Sequence, residues 1–238
     1  LAECLQILIG CDHTEERGME LAKKIETLFK TKCDSYKRQY SLNFAVYFTP
    51  AESLCYTSMQ AFQKKYGLIE NVSAYKDEEG KLVPREFFTN SIHVPVWKKV
   101  SPFEKIDIES QLTGYSSAGC ITYVELTDKT KWNPTAVQQV IDYAMKKDIP
   151  YFAINVPVDA CLRCGYQGII DGEICPNCGA KEYKTEIENG VTKNVLTGYI
   201  ERLRRVTGYT TGSYKQSFNK GKQAEVASRV KHVDVFEG

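Results

Sequence analysis

Apolar residues recur at a spacing of three to four positions near the start of the chain: Leu1, Leu5, Leu8, Leu21, Ile25, Leu28 and Phe29. This spacing places them on one face of a helix. We therefore predict helices over residues 1–37, with a break at residues 11–13 and with Thr14 as the N-cap of the second helix. Because an amphipathic pattern is already under way at Leu1, we expect the chain to be part of a longer polypeptide.

Four short runs that are almost wholly apolar or aromatic predict buried strands at residues 42–48, 92–97, 120–126 and 151–158. Helices are predicted between them, one following Thr49-Pro50 to about Tyr66. Another starts at Asn133-Pro134, where an Asn cap precedes Pro at the first helical position. Residues 73–88 are charged and predict a surface loop. Apolar strands that alternate with helices favour an α/β fold with a mainly parallel sheet covered on both faces.

Composition narrows the class of protein. The 31 basic and 30 acidic residues leave a net charge of +1, so the chain has no electrostatic footprint for nucleic acid. No apolar run approaches the roughly 18 residues of a membrane span. We expect a cytoplasmic protein that binds neither nucleic acid nor membrane.

Four of the nine cysteines form two matching knuckles, Cys161-x-x-Cys164-Gly and Cys175-x-x-Cys178-Gly. Two residues between the cysteines of each pair let both sulfurs face one ion, and the glycine after each pair relaxes the tight turn. Four thiolates with no open position favour a structural Zn²⁺ site. An iron–sulfur centre and a redox dithiol pair are the alternatives. The other five cysteines are interpreted as buried apolar packing residues.

Beyond the knuckles, the tail from Arg205 to His232 carries further motifs that complete an ordered set over the chain. Its members are Leu1-Ala2-Glu3-Cys4-Leu5, Thr49-Pro50-Ala51-Glu52, Phe88-Thr89-Asn90-Ser91-Ile92-His93, Gly119-Cys120-Ile121-Thr122-Tyr123-Val124-Glu125, Ile154-Asn155, Arg205-Val206-Thr207-Gly208-Tyr209, Phe218-Asn219-x-Gly221-Lys222 and Arg229-Val230-Lys231-His232. Together they resemble the C-terminal half of the anaerobic (class III) ribonucleotide reductases, which are glycyl radical enzymes.

The resemblance implies the second half of a ten-stranded α/β barrel, followed by a four-cysteine zinc module and a glycyl radical loop. It divides the chain into residues 1–158 for the half-barrel, 159–198 for the zinc module and 199–238 for the radical loop and C-terminal helix. Asn219 is predicted to cap that helix.

Gly208 matches the glycine that stores the radical in this family. A Cα radical is stabilised by delocalisation into both flanking peptide groups, and glycine adds no side chain to crowd a planar centre. Two positions depart from the common pattern: Thr207, where many relatives have Cys, and Thr210, where Leu is usual. The thiyl cysteine of the family matches none of Cys4, Cys11, Cys33, Cys55 and Cys120, so it is expected upstream of Leu1.

The turn between the first predicted strand and its helix is a candidate site for the substrate phosphates: Thr49, Ala51, Glu52 and Ser53. A helix N-terminus offers free N–H groups and a positive dipole end to an anion. Ordinary helix capping is the alternative interpretation. Further candidates to line the active-site cavity of such an enzyme are Asn90, Ser91, His93, Glu125 and Asn155.

The resemblance also implies partners and cofactors. These are a ribonucleotide substrate, an activating enzyme that uses S-adenosylmethionine and an iron–sulfur cluster, the remaining N-terminal half of the reductase, and a second copy in a homodimer. The reaction would convert ribonucleotides, as triphosphates, to 2′-deoxyribonucleotides. Two other functions stay open: a non-enzymatic zinc-ribbon module that binds RNA or protein, and a glycyl radical enzyme with another substrate.

Overall fold

The computed structural model describes residues 1–49, 51–127, 133–170, 172–206 and 208–232. Its helices are α1 Ala2–Ile9, α2 Glu16–Tyr40, α3 Glu52–Tyr66, α4 Pro102–Thr113, α5 Pro134–Lys146, α6 Tyr214–Ser217 and α7 Lys220–Ser228. Its strands are β1 Ala74–Lys76, β2 Leu82–Pro84, β3 Thr122–Glu125, β4 Phe152–Asn155, β5 Val158–Cys161, β6 Gln167–Gly168, β7 Tyr183–Glu188, β8 Val191–Leu196, β9 Ile200–Val206 and β10 Tyr209–Thr211.

A parallel pair of strands, β3 and β4, forms the α/β part of the fold. The pair runs in register from Thr122 opposite Phe152 to Glu125 opposite Asn155. Helices α4 and α5 pack with it around a core of apolar side chains: Ile106, Val124, Leu126, Val140 and Ala144. The strands predicted at 120–126 and 151–158 are therefore present, each in shorter form.

The chain passes almost directly from β4 into a second sheet, in which the strand order is β10-β9-β5-β6. Strand β5 pairs antiparallel with β9, from Val158 opposite Leu203 to Cys161 opposite Ile200. A separate antiparallel ribbon, β7 with β8, extends from the cysteine region. The strand that leads to Gly208 therefore lies inside the sheet that holds the first metal-ligand candidate, Cys161.

Several predicted helices are confirmed. Helix α3 covers residues 52–66 as expected, and α5 begins after Asn133, whose side chain accepts from the N–H of Ala136 at 3.0 Å. Asn219 caps α7 by accepting from the N–H of Lys222 at 2.9 Å. Each cap satisfies an N–H group that has no partner within its helix.

The N-cap of α2 was predicted one residue too early. Glu15 occupies the cap position, and the Thr14 hydroxyl and N–H both donate to Asp12 Oδ1 at 2.6 and 2.9 Å. Asp12 therefore closes a turn before the helix, and the Thr14 hydroxyl donates to Asp12 and accepts from Lys98 instead of accepting from the first turn of α2.

The predicted strands at 42–48 and 92–97 are wrong, because neither segment forms a ladder in the described residues. Phe48 donates to the carbonyl of Gly119 and Val46 accepts from the N–H of Ala118, two contacts with one loop that do not extend into a ladder. In the second segment, Ser91 has a φ of 48° and the N–H of Val94 donates to a Glu109 side-chain oxygen, so the backbone turns. The predicted surface loop at 73–88 contains the short β1–β2 hairpin.

Within the described residues, each helix is too short or too polar to cross a lipid bilayer.

Candidate functional site

The four knuckle cysteines come together in space. Their sulfur atoms all lie within 4.8 Å of one another, although 14 positions separate Cys161 from Cys175 in sequence. Gly165 and Gly179 follow the two pairs at φ values of 75° and 70°, a left-handed conformation that glycine adopts without strain. The group could hold a metal ion, and a complete set of thiolates suits Zn²⁺ in a closed tetrahedral site.

The cysteines differ in exposure. Cys161 and Cys175 are buried, and Cys164 is exposed. A hydrogen bond with the Asn177 side chain and another with the backbone of Tyr166 lower the pKa of Cys164 to about 6. A lowered pKa supplies the thiolate form that binds metals.

Arg202 ties the cysteine region to strand β9. Its guanidinium contacts both oxygens of Glu182 at 2.9 and 2.8 Å and Asp159 Oδ2 at 3.2 Å. It also donates to the carbonyls of Ile170 and Gly172, which lie between the two knuckles. The Arg202 side chain is 9% exposed, so these are buried, charge-assisted contacts. The segment between the two knuckles and β9 are thus held as one unit.

Gly208 lies in the turn of the β9–β10 hairpin. The hairpin pairs Val206 with Tyr209 and Arg205 with Thr210, and Gly208 is exposed at its end. Thr207, the first departure from the family pattern, lies outside the described residues. Thr210, the second departure, pairs with Arg205 in β10 and is exposed.

A cavity at the carboxyl ends of β3 and β4 adjoins this hairpin. It is lined by Glu125 and Asn155, which end the two strands, and by Arg205 and Thr210 of the hairpin. Asn155 donates to Glu125 Oε1 at 2.9 Å. Ligands of α/β proteins commonly bind outside the carboxyl ends of the strands. The structure therefore brings Glu125 and Asn155 together with the Gly208 hairpin.

Arg229, at the end of α7, contacts β3, α7 and the Gly208 hairpin. Its guanidinium lies 3.3 Å from Glu125 Oε1 and 3.1 Å from Glu225 Oε1, and it donates to the carbonyl of Arg205 at 2.6 Å. Asn90 joins the same cluster, because its amide donates to Glu225 Oε2 at 3.4 Å. The neighbouring carboxylates raise the pKa of Arg229 despite burial, which lowers it.

His93 and His232 line a second cavity behind the cluster. His93 Nδ1 lies 3.4 Å from Glu109 Oε2, and Lys105 Nζ lies 2.7 Å from Glu109 Oε1. His232 Nδ1 accepts from the N–H of Glu125 at 2.9 Å. Ser91 is half-buried, and the structure gives it no role in either cavity.

The candidate phosphate loop has the features of an uncapped helix start. Ala51 occupies the N-cap position of α3 and offers no side-chain acceptor, while Thr49 and Ser53 are exposed. Among the described residues, the first turn of α3 has no side-chain cap. Pro50 and the Glu52 side chain lie outside the described residues.

Three groups of functional interest were missed at the level of sequence: Arg229 with Glu225, Arg202 with Glu182, and Lys105 with Glu109. The signal was present in part. Glu225 with Arg229, and Lys105 with Glu109, are spaced four residues apart, which allows ion pairing along a helix. Sequence pattern alone assigns such pairs to a solvated face, and only the fold shows that they are buried.

The family model for anaerobic ribonucleoside-triphosphate reductase matches residues 1–232. The chain therefore belongs to this family, as its motifs had indicated. Relatives carrying that name include one from Haemophilus influenzae, 31% identical over 93% of this chain, and one from Escherichia coli, 30% identical over 97%. A third, from Enterobacteria phage T4, is 31% identical over 90%. The chain spans 28%, 30% and 32% of the length of these relatives.

Solved anaerobic ribonucleotide reductases share the fold. One covers 91% of this chain with a TM-score of 0.59, and the enzyme from Thermotoga maritima with MES in its active site covers 84% with a TM-score of 0.54. Both are 19% identical to the chain. The chain corresponds to 29% and 28% of those structures, and the expected α/β fold class is confirmed.

Proposed function

We propose that this chain is the C-terminal catalytic part of an anaerobic ribonucleotide reductase and that Gly208 stores its radical. The observation that carries the proposal is the placement of the Gly208 hairpin beside the strand ends Glu125 and Asn155, in a chain of this family. A hydrogen atom removed from the Gly208 Cα leaves an electron that both adjacent peptide groups delocalise. The absent side chain lets that centre flatten.

The reaction replaces the 2′-hydroxyl of a ribonucleoside triphosphate with hydrogen. The hydroxyl leaves as water, and an external two-electron reductant, formate or a dithiol, supplies the electrons. The thiyl cysteine that attacks the ribose belongs to the part of the reductase outside this chain. The role of Gly208 is to hold the unpaired electron between turnovers.

The partners follow from this role. We infer that an activating enzyme with S-adenosylmethionine and an iron–sulfur cluster removes the Gly208 hydrogen, as membership of this family implies. The N-terminal half of the catalytic barrel and a second copy of the complete enzyme complete the assembly. Exposure of Gly208 at the end of its hairpin supports access by an activating protein.

We also propose that residues 159–198 form a structural zinc module between the half-barrel at 1–158 and the radical loop and helix at 199–238. The close approach of the four sulfurs supports a bound metal ion. The Arg202 contacts support the view that the module stabilises β9 and its hairpin. Bound Zn²⁺ would supply a fixed cross-link among Cys161, Cys164, Cys175 and Cys178.

The substrate phosphates are proposed to bind at Thr49, Ala51, Glu52 and Ser53. Three or more unpaired N–H groups in the first turn of α3 would face the anion, and the helix dipole would favour its charge. The exposed hydroxyls of Thr49 and Ser53 are further donors.

Anaerobic electron paramagnetic resonance of the complete polypeptide with its activating enzyme tests the radical assignment. We expect a glycyl signal in the natural protein and none in Gly208→Ala. Gly212→Ala is the matched control, because an added Cβ there meets only the Glu201 side chain, at 3.7 Å. A signal that survives Gly208→Ala would place the radical elsewhere. Deoxyribonucleotide formation, measured in parallel, separates a reductase from a glycyl radical enzyme with another substrate.

A further inference from the structure

Lys222 on α7 is a buried cation in an unusual position. The residue is 7% exposed, and its Nζ lies 3.2 Å from Ser53 Oγ in the first turn of α3. The same Nζ lies 4.0 Å from the ring centroid of Tyr209, the residue that follows Gly208. One ammonium group therefore contacts both the proposed phosphate site and the radical hairpin.

The local sequence fixes this position. Asn219 starts α7 by capping the N–H of Lys222, and Gly221 lets α7 approach α3 closely. A Cβ on Gly221 would lie 2.6 Å from Tyr56 Cβ, a distance that real contacts do not show. Tyr56 and Ser53 are three residues apart and share one face of α3. The Asn219-x-Gly221-Lys222 motif thus delivers the ammonium to the start of α3.

The charge of Lys222 is not matched within the described residues. No described carboxylate forms a salt bridge with its Nζ; its contacts are the Ser53 hydroxyl and the rings of Tyr209 and Phe218. A buried ammonium without an anion is costly, since a hydroxyl and a ring face replace only part of its hydration. An ammonium has three donors, so two remain for an anion at the same place.

Phosphate is the anion that fits this place, because the start of α3 also favours it. Ala51 leaves the first-turn N–H groups without a side-chain cap, and Ser53 places its hydroxyl beside the Lys222 ammonium. Backbone N–H groups, a hydroxyl and a buried lysine are together the donors that hold a phosphate. A carboxylate ligand would use fewer of these donors.

We propose that Lys222 binds the substrate phosphates at the start of α3 and, through Tyr209, makes the placement of the Gly208 hairpin depend on whether that site is filled. A bound phosphate fixes the ammonium, and the ammonium fixes the ring that stacks on it. Lys222 is thus a substrate-binding residue, and Tyr209 is a positioning residue that acts through it. The identification of the anion as substrate rests on the proposed reductase function.

The test uses the complete polypeptide with a ribonucleoside triphosphate and, separately, inorganic triphosphate as probes. Lys222→Met keeps the apolar stem and removes the charge, while Lys222→Arg keeps the charge. Lys220→Met is the matched control, because Lys220 lies two residues earlier on α7 and is exposed. Affinity is measured by calorimetry, KM and kcat by turnover, and hydrogen exchange separately for residues 51–57 and 208–211.

Loss of a charge-assisted contact to phosphate predicts about a ten- to hundredfold weaker affinity and higher KM in Lys222→Met. Lys222→Arg should stay within about fivefold of the natural protein, and Lys220→Met should match it. Nucleotide should slow exchange in both segments of the natural protein. In Tyr209→Leu it should still slow exchange at 51–57 and no longer at 208–211, with KM raised much less than in Lys222→Met, since the Lys222 ammonium loses only a ring contact.

A natural KM and natural exchange protection in Lys222→Met would overturn the proposal. If Lys222→Met does not fold, Lys222→Gln and the Tyr209→Leu arm decide the question in the same way. Failure of the reductase assignment looks different: triphosphate binding would still depend on Lys222, while no deoxyribonucleotide would form in the natural protein.

Discussion

The guanidinium of Arg229 donates to the carbonyl oxygen of Arg205 at 2.6 Å, three residues before Gly208. The same guanidinium contacts Glu125 at the end of β3 and Glu225 on α7. One side chain therefore joins the hairpin, the parallel strands and the last described helix.

Replacing Arg229 with methionine should destabilise the protein by about 3–5 kcal/mol, because two buried carboxylates lose their partner. Chemical denaturation measures the free energy of unfolding. Arg229→Lys keeps the charge but cannot make the forked contacts, so its loss should be smaller. An Arg229→Met protein within about 1 kcal/mol of the natural one would show that the cluster contributes little.

If the four cysteines hold zinc as proposed, removing the metal should loosen the hairpin as well as the knuckles. Cys175→Ser is expected to lose zinc and to increase proteolytic cleavage near residues 208–211, since Arg202 links the knuckles to β9. Elemental analysis and limited proteolysis check this. Cys33→Ser, on α2, is the control and should retain both metal content and protease resistance. Full zinc content in Cys175→Ser would remove this residue from the ligand set.

A bulky residue at position 51 should obstruct the phosphate loop. Ala51→Leu is expected to raise KM for the nucleotide about tenfold or more, with kcat changed much less, because the site binds groups remote from the ribose. The control is Ala61→Leu, at an exposed position on the same helix. An unchanged KM in Ala51→Leu would remove the loop from the substrate site.

Stability should fall as the pH drops below about 6.5. Burial lowers the pKa of His13 to about 4, and burial together with the charge of Lys105 lowers that of His232 to about 3. The unfolded chain binds these protons near pH 6.5 and the folded chain does not. Between its unfolded and folded pKa, each histidine therefore lowers the free energy of unfolding by about 1.4 kcal/mol for every unit that the pH falls.

Denaturation between pH 7.5 and 5 measures this slope. His232→Asn keeps an acceptor for the Glu125 N–H and removes one titrating group, so about half of the slope should disappear. Equal slopes in the two proteins would show that His232 does not titrate on unfolding in this range. Above pH 7 the two histidines contribute no slope.

Elements with local signals were predictable from sequence. Helix α5 has an Asn cap followed by Pro, and α7 has an Asn cap. The spacing of the two knuckles was enough to predict that the four sulfurs lie together. Helix α4 carried a signal that was overlooked: Ser101 and Glu104 form a capping box, with Pro102 at the first position. In each case the information lies within a few residues.

Features that depend on partners distant in sequence were not predictable. The apolar run at 42–48 has the composition of a strand, yet Leu42 and Tyr47 are 63% and 54% exposed, and no neighbour completes a ladder in the described residues. The run at 92–97 is a different case, because Pro95 is a local signal against a central strand that its apolar neighbours outweighed. Whether Glu225 and Arg229 face solvent or Glu125 is decided by tertiary packing, which periodicity does not encode.

The buried charged cluster also sets an order of events during synthesis. Asn90 is translated 135 residues before Glu225, to which it donates, and Glu125 likewise precedes its partner Arg229. Until α7 and Arg229 have been made, the Asn90 amide and the Glu125 carboxylate lack these partners. The interior around the strand ends therefore closes only after α7 has been made, and a protein truncated after residue 219 of this sequence would leave the Glu125 carboxylate without its guanidinium partner.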